Sequence, residues 1–337
     1  MTDRPLPVTW ADHPDNPLIR PPFPEFLIAD PTFLPPDQSP DGRWHLFAHG
    51  ILLGIHHFAS EDGVAWRRLG RVCWGMRPHL VRWQDDYLLL FERPLGPAAT
   101  GIAWCRSRDL VTFSKPRVAL RPSLPWEGDR VRTVGNPCGV VRPDGFWIYY
   151  SAGLSWLRDC GFPEPRHIGV AFGPGPEGPF RKHPEPLWSP DPAVPWRNLG
   201  SGAVKVIPWG SGWIGFQNGI YVDPEGRSRS DIRLHRSDDG IRWEEAHDRP
   251  LVRPEPGWKR ALVYALDVRP LEDRLVMFYN ARSGWRFGVE RIGRADCLTG
   301  IPRQSLASDR RGSLEDISRF PISQVASNPG IQERGCR

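Results

Sequence analysis

The sequence lacks several features that identify common protein classes. It has no run of about 18 apolar residues, so no membrane-spanning helix is expected, and its first residues have no apolar stretch typical of a secretory signal. It also has no glycine-rich phosphate loop, no dinucleotide-binding fingerprint and no nucleophile elbow. These absences argue against nucleotide-dependent enzymes and α/β-hydrolases, and they make the cytoplasm the expected location.

Cysteine, histidine and basic residues show no pattern of a metal, disulfide or nucleic-acid protein. The six cysteines have neither CxxC spacing nor a regular framework, so they are expected to be reduced and packed within sheets. His56 and His57 are adjacent on a predicted strand and face opposite sides of it, and no helical metal-binding spacing occurs. The net charge of +5 comes from scattered arginines without a five-residue basic run. We therefore expect no cofactor, no metal, no nucleic acid and no membrane as partners.

Aromatic and turn-forming residues are abundant instead. The 337 residues include 16 Trp, 15 Phe, 38 Pro and 34 Gly, which favours many short strands joined by tight turns. An apolar strand followed by a turn and an aromatic-rich strand recurs five times, opening near Asp30, Arg77, Asn136, Ser201 and Asp267. Units of roughly 45–65 residues that cannot bury their own faces are typical of propeller blades. The prediction is an all-β, five-bladed β-propeller of four-stranded antiparallel blades.

The repeats also set the predicted boundaries. Residues 1–25 are expected to be an extended leading segment, residues 26–300 the propeller, and residues 301–337 a polar tail that is poorly ordered. In the turns Ser60–Trp66 and Ser237–Trp243, Asp-Gly predicts a positive φ at the glycine. The stretches Leu154–Arg166 and Arg121–Val134 are predicted to be loops that shape a pocket rim.

With the blades in place, residues 16–298 resemble the five-bladed β-propeller glycoside hydrolases, the superfamily of families 32, 43, 62, 68 and 130. The similar features are Ala29-Asp30-Pro31, the Ser-x-Asp-Gly-x-x-Trp turns and the closing Ile292-Gly293-Arg294-Ala295. The resemblance implies a carbohydrate-active enzyme that cleaves a glycosidic bond of a small glycoside in a central funnel.

The catalytic pattern of family 43 is present only in part. Those enzymes use a carboxylate base and a carboxylic acid on opposite sides of the sugar, with room for a water. The resemblance implies that Asp30 is the base. The position of the second aspartate carries Asn136, and the position of the acid falls at Gly200-Ser201-Gly202, which has no acid. Two of the three usual carboxylates are therefore absent, and a serine cannot protonate a leaving oxygen.

Two other acids fall in phase with the propeller axis. Asp267 opens blade five and Glu92 follows the second strand of blade two, so either could share acid and base roles with Asp30. The alternative is that these carboxylates pair with Arg77 or Arg93. Substrate contacts are expected from eight further side chains: His49, Arg77, Arg93, Asn136, Ser201, Asn218, Asn280 and Arg282.

Three functions remain open at this point. The first is a glycosidase with Asp30 as base. The second is a phosphorylase, transferase or lyase acting on a sugar intermediate of a biosynthetic pathway. Arginine binds carboxylate and phosphate in bidentate fashion, so Arg77, Arg93 and Arg282 favour an acidic sugar, a sugar phosphate or inorganic phosphate. The third is a non-catalytic sugar-binding propeller, with Trp156 or Trp285 stacking on a sugar.

Overall fold

A computed structural model describes residues 4–271 and 273–298, and these residues form five four-stranded antiparallel sheets. The predicted five-bladed β-propeller is confirmed.

Strand β1 (Ala11–Asp12) precedes the first blade in the chain. Blade one contains β2 (Ala29–Leu34), β3 (Trp44–Gly50), β4 (Gly54–Ser60) and β5 (Arg67–Cys73). Blade two contains β6 (Met76–Trp83), β7 (Asp86–Gly96), β8 (Ala99–Ser107) and β9 (Arg117–Leu120). Blade three contains β10 (Val134–Arg142), β11 (Gly145–Leu157), β12 (Phe162–Gly173) and β13 (Arg181–Lys182). Blade four contains β14 (Val204–Trp209), β15 (Gly212–Val222), β16 (Ser228–Ser237) and β17 (Glu244–Glu245), and blade five contains β18 (Leu262–Leu271), β19 (Arg274–Arg282) and β20 (Glu290–Leu298).

The leading segment supplies the fourth strand of blade five. Strand β1 pairs with β20, with Ala11 opposite Asp296 and Asp12 opposite Ala295. The carboxylate of Asp12 also accepts hydrogen bonds from Lys259 (2.6 Å) and Tyr279 (2.7 Å). The sequence predicts this segment to lie outside the blades, because two paired residues among many prolines leave no periodic signal. The leading segment and the last strand thus close the ring within one sheet.

Apolar cores lie between neighbouring blades. Phe33 and Leu46 of blade one meet Phe278 of blade five, and a comparable cluster fills each of the other four blade interfaces. Phe33 and Phe278 are fully buried and meet edge to face at 4.8 Å. The abundant aromatic residues therefore fill the wedges between twisted sheets, which is the burial that single blades cannot provide.

The repeated Ser-x-Asp turns form as predicted. Asp62 Oδ1 accepts the backbone N–H groups of Val64 and Ala65, and Ser60 Oγ accepts that of Gly63, whose φ is 72°. Blade four repeats these bonds around Asp239 and Gly240. Each turn forms these hydrogen bonds within itself. Neighbouring blades add further bonds, since Arg294 donates to the carbonyl of Gly63 and Tyr149 donates to that of Gly240.

Each inner strand of blades one, two, three and five has a bulge near its beginning. The register shifts between Ala29 and Thr32, and at the equivalent places in β6, β10 and β18. In the first three blades the bulge falls on Asp30-Pro31, Arg77-Pro78 and Asn136-Pro137, and the residue before proline has a φ of 51°, 53° and 46°. Proline has no N–H to donate to the ladder, and a bulge changes where the side chains point. The recurring x-Pro pairs therefore position the residues at the end of the central cavity.

Helical structure is limited to three short 3-10 segments within the described ranges, Pro36–Gln38, Pro125–Glu127 and Pro195–Arg197. No helix in that part of the chain is long and apolar enough to cross a membrane. Five cysteines occur there, and all five are free thiols. The predicted tail, residues 301–337, and Cys336 lie outside the described residues.

A buried histidine makes the fold sensitive to acid. His235 lies between the rings of Trp188 and Trp196, 5.3 and 5.6 Å away, and burial lowers its pKa to about 3. Its unfolded pKa is about 6.5, so protons bind preferentially to the unfolded chain below that pH. This contribution to stability is present above pH 6.5 and is lost as the pH falls toward 3, by about 1.4 kcal/mol per pH unit.

We expect His235→Phe to reduce the loss of unfolding free energy between pH 7 and pH 5, because phenylalanine keeps the aromatic contacts and has no proton to bind. Urea unfolding at a series of pH values measures the slope. His247→Phe, in a partly exposed position, is the control and should keep the wild-type slope. Equal slopes in wild type and His235→Phe would show that His235 does not carry the acid sensitivity.

Candidate functional site

The bulged ends of the inner strands surround a central cavity of about 510 Å³. Residues of all five blades line it. Its polar lining consists of Asp30, His49, Arg77, Thr100, Thr133, Asn136, Glu164, Asn218, Tyr264, Asn280, Arg282 and Glu290. Seven of the residues predicted from sequence are in this set: Asp30, His49, Arg77, Asn136, Asn218, Asn280 and Arg282. Residues that are scattered over some 250 positions therefore converge, as the propeller prediction requires.

Asp30 presents a carboxylate with no hydrogen-bond donor among the described residues. Its backbone N–H donates to Asn280 Oδ1 (3.1 Å), which fixes the main chain of the bulge. Asp30 Oδ2 lies 3.3 Å from His49 Nδ1, and that nitrogen already accepts the backbone N–H of Arg77. Burial lowers the pKa of His49, so the ring is neutral with its hydrogen on the other nitrogen. The carboxylate of Asp30 is therefore free to accept a proton from a bound water or substrate.

Arg77 and Glu92 form an ion pair at the edge of the cavity. Arg77 Nη1 donates to Glu92 Oε2 at 2.7 Å, and the Glu92 side chain is 3% exposed. Glu92 packs against the backbone of Gly135, where a Cβ would lie 1.7 Å from its Oε2. Of the two, Arg77 alone lines the cavity. Glu92 therefore pairs with an arginine, which was the alternative to a catalytic role. The ion pair holds Arg77 against the cavity wall.

Asp267 lies below the cavity and is saturated with hydrogen bonds. Its Oδ2 accepts from Thr32 Oγ1 (2.7 Å), from the backbone N–H of Phe33 (3.2 Å) and from Arg269 (3.0 Å). Its Oδ1 accepts the N–H of Val268. Arg269 also donates to the carbonyl of Leu80 in blade two. Asp267 is absent from the cavity lining, and these bonds connect blades five, one and two around the axis.

The Asp267→Asn substitution is expected to lower the free energy of unfolding by about 3 kcal/mol, because it leaves the partly buried guanidinium of Arg269 without its charge partner at a buried position. Urea unfolding at pH 7 measures the change. The control is Asp144→Asn, which removes an exposed partner of Arg142 and should cost less than about 1 kcal/mol. A change below 1 kcal/mol in Asp267→Asn would rule out the joining role inferred from its bonds.

Ser201 and Arg93 are the other predicted residues outside the cavity lining. Ser201 is fully buried, and its carbonyl accepts Gln217 Nε2 at 2.9 Å. Its neighbour Gly202, with a φ of 58°, lines the cavity instead. Arg93 lies opposite Gly101 in the β7–β8 ladder and is partly exposed. The repeat places the correct segments near the axis, whereas the exact residue that faces inward depends on the bulge.

Glu164 is a cavity residue that sequence reasoning missed. The sequence predicts a loop over Leu154–Arg166, but β11 and β12 continue as a hairpin, with Leu154 opposite Pro165 and Leu157 opposite Phe162. Glu164 lies on this arm and lines the cavity. Burial raises its pKa to about 8, and the negative charges of Glu290 and Asp30 act in the same direction against the opposing effect of Arg77. At neutral pH its carboxyl group therefore holds a proton that it can donate.

A second acid, Glu290, begins the third strand of blade five. Its Oε1 accepts Arg282 Nη1 at 3.0 Å, and Asn280 Nδ2 lies 3.4 Å from its Oε2. Burial raises its pKa to about 7 although Arg282 opposes the shift. Tyr264 also lines the cavity, and its buried hydroxyl has no hydrogen-bond partner within the described part of the chain. The sequence feature nearest to Glu290 is the closing segment around Ile292. It indicates where β20 lies, but it does not distinguish Glu290 from its neighbours.

The amides Asn136 and Asn218 lie on blades three and four. Asn218 Oδ1 accepts the backbone N–H of Ala203 at 2.8 Å, which orients its NH₂ group. The Asn136 side chain is buried and receives no hydrogen bond from the residues that the structure describes. Amide groups of this kind donate to and accept from hydroxyls. Within the described ranges, no group of three or more His, Cys, Asp or Glu side chains is arranged to hold a metal ion.

Comparison with known proteins adds evidence on the fold. No protein-family model matches the chain, and no curated protein matches it in sequence. Solved structures do match. A glycosyl hydrolase from Bacteroides ovatus has a TM-score of 0.61 at 14% identity, and the match covers 89% of this chain and 94% of that one. The fold is that of the five-bladed glycoside hydrolases.

Two further structures indicate the range of chemistry on this fold. A thermostable family-43 glycoside hydrolase matches with a TM-score of 0.57 and 15% identity over 79% of this chain and 88% of its own. An N-acetylgalactosamine deacetylase from F. plautii, in complex with blood group B trisaccharide, matches with a TM-score of 0.60 and 12% identity over 87% and 96%. Because one fold carries both reactions, the site must decide the function.

Proposed function

We propose that the chain is a glycoside hydrolase-like enzyme that cleaves a glycosidic bond of a small glycoside held in the central cavity. The observation that carries this proposal is a pair of carboxyl groups in one cavity with different environments. The carboxylate of Asp30 has no donor among the described residues, whereas Glu164 has a pKa of about 8 and keeps its proton at neutral pH. A proton acceptor and a proton donor in one cavity are what glycoside hydrolysis requires.

The roles follow from these environments. Asp30, on the bulged inner strand of blade one, accepts a proton from the attacking water. Glu164, on the hairpin of blade three, donates its proton to the leaving oxygen. Asn136, Asn218 and Asn280 offer amide groups for the sugar hydroxyls. Glu164 thus takes the role of the acid that is missing from blade four, and it reaches the cavity on the hairpin of blade three.

An anionic sugar, which the arginines suggest in the sequence, is less favoured by the contacts. Arg77 is bonded to Glu92, and Arg282 is bonded to Glu290. Each positive charge in the lining therefore has a carboxylate partner already. We propose a neutral glycoside as substrate. Inhibition of turnover by millimolar inorganic phosphate would instead favour an anionic substrate, because phosphate would then compete for the arginines.

The direct test is turnover of a panel of 4-nitrophenyl glycosides, covering both anomers of common hexoses and pentoses. We expect release of 4-nitrophenol and the free sugar with at least one member. Release of a sugar phosphate only when phosphate is present would indicate a phosphorylase. Binding of a sugar without turnover of any glycoside would indicate the sugar-binding propeller. We also propose a reducing compartment such as the cytoplasm, which the free thiols support.

A further inference from the structure

The cavity has an unusual distribution of polarity between its floor and its mouth. The floor is polar and deeply buried, since Asn280, Asn218 and Glu290 are 1%, 3% and 8% exposed. The mouth carries exposed apolar side chains, since Phe26, Ile51 and Val131 are 57%, 47% and 49% exposed and all three line the cavity. Single exposed apolar residues are ordinary, but a cluster around one opening marks a contact surface for an apolar group.

The apolar residues lie on one side of the mouth. Besides the exposed Phe26, Ile51 and Val131, the lining has five partly buried apolar residues, namely Leu27, Met76, Leu154, Phe162 and Pro163. These residues belong to the segment before blade one and to blades one, two and three. The lining from blades four and five has no large aliphatic side chain and consists of Gly202, Ala203, Asn218, Tyr264, Ala265, Asn280, Arg282 and Glu290. A ligand that fits both sides has a polar part on the floor and an apolar part toward blades one to three.

The proposed acid is on the apolar side. Glu164 follows Phe162 by two positions on the blade-three hairpin, and Leu154 lies opposite Pro165 on the same arm. A general acid must reach the oxygen of the leaving group, so the leaving group lies near this hairpin. No Trp, the residue that most often stacks on a second sugar, occurs among the residues that line the cavity.

We infer that the leaving group is an apolar aglycone, such as an alkyl or aryl alcohol, and that the cavity floor holds a single sugar. The claim that the apolar part is the leaving group rests on the proposed hydrolysis. The claim that an apolar part lies toward blades one to three rests only on the residues that line the cavity. Burial of an alkyl chain stabilises binding by up to about 0.8 kcal/mol for each CH₂ group.

The test compares hexyl and methyl glycosides of D-glucose, D-galactose, D-mannose and L-arabinose in both anomeric forms. The two alcohols leave with similar ease, so a difference reports contact with the chain and not leaving-group acidity. We expect kcat/KM for the hexyl glycoside of the accepted sugar to exceed that for the methyl glycoside by about tenfold or more. The double variant Ile51→Thr/Val131→Thr, which replaces the ethyl group of the isoleucine and one methyl group of the valine by hydroxyls, should lower this ratio several-fold. Val111→Thr, on the outer turn of blade two, should keep it.

Binding measured by calorimetry on the Asp30→Asn variant separates this inference from the proposed hydrolysis. Tighter binding of hexyl than of methyl glycosides without turnover by the wild-type chain supports the apolar mouth and contradicts hydrolysis. Turnover with a hexyl-to-methyl ratio near one, or better turnover of disaccharides than of hexyl glycosides, overturns the aglycone inference and leaves hydrolysis intact. A ratio near one in a chain that also dimerises through the mouth overturns it too, because a second copy then covers the apolar residues.

Discussion

Asp30→Asn is expected to lower kcat for a hydrolysed glycoside by about 10³-fold while the fold and substrate binding remain. The amide is nearly isosteric with the carboxylate, but it cannot take a proton from the attacking water. Asparagine also tolerates the φ of 51° at this position, and the backbone hydrogen bond to Asn280 does not involve the side chain. Steady-state kinetics on the glycoside identified by the panel measure the effect, and calorimetry with the same glycoside measures binding.

The matched control is Asp85→Asn, an exposed aspartate in the turn between β6 and β7, at the end of blade two opposite the cavity. It should retain wild-type kinetics. If Asp30→Asn retained turnover within a few-fold of wild type, Asp30 would not be the base. A parallel loss of binding affinity would point instead to a role in holding the sugar.

The sequence is sufficient to place the ends of the blades but not to choose the side chains that face the cavity. The pairs Asp30-Pro31, Arg77-Pro78 and Asn136-Pro137 lie at three bulges, because proline lacks the N–H that a regular ladder uses and is common at bulges. Asp267 belongs to the same repeat, yet it faces the axis below the cavity. Its carboxylate accepts hydrogen bonds from Thr32 and Arg269 instead of facing a substrate. Which side of a strand is used depends on the bulge, and a one-residue shift of register reverses it.

Glu164 escaped prediction for a different physical reason. Pro163 and Pro165 flank it, and prolines in a run normally indicate a loop or an edge strand. The structure extends β12 through both prolines as far as Phe162. The raised pKa of Glu164 comes from its burial and from charges on other blades, namely Glu290 and Asp30, which are far away in the sequence. An acid whose protonation depends on tertiary contacts has no local sequence signature.

The Glu164→Gln variant tests whether Glu164 is a general acid or a carboxyl group that only binds the substrate. We expect kcat/KM for an alkyl glycoside to fall by about 10²- to 10⁴-fold, because an alcohol leaves slowly without a proton. We expect a much smaller loss for a 2,4-dinitrophenyl glycoside, whose leaving group needs no protonation. The amide keeps the size of the side chain, so a loss common to both substrates would indicate a role in binding.

The pH profile gives an independent readout of the same residue. The active form of Glu164 is protonated, and its pKa is raised to about 8, so kcat/KM of the wild-type enzyme should fall as the pH rises through about 8. This alkaline limb should be absent in Glu164→Gln with the dinitrophenyl glycoside, because glutamine does not titrate. Glu290 is the second candidate for that limb, with a pKa of about 7 and an ion pair to Arg282. If Glu290→Gln removed the limb and Glu164→Gln kept it, the acid would lie on blade five, and the apolar side of the mouth would no longer mark the leaving group.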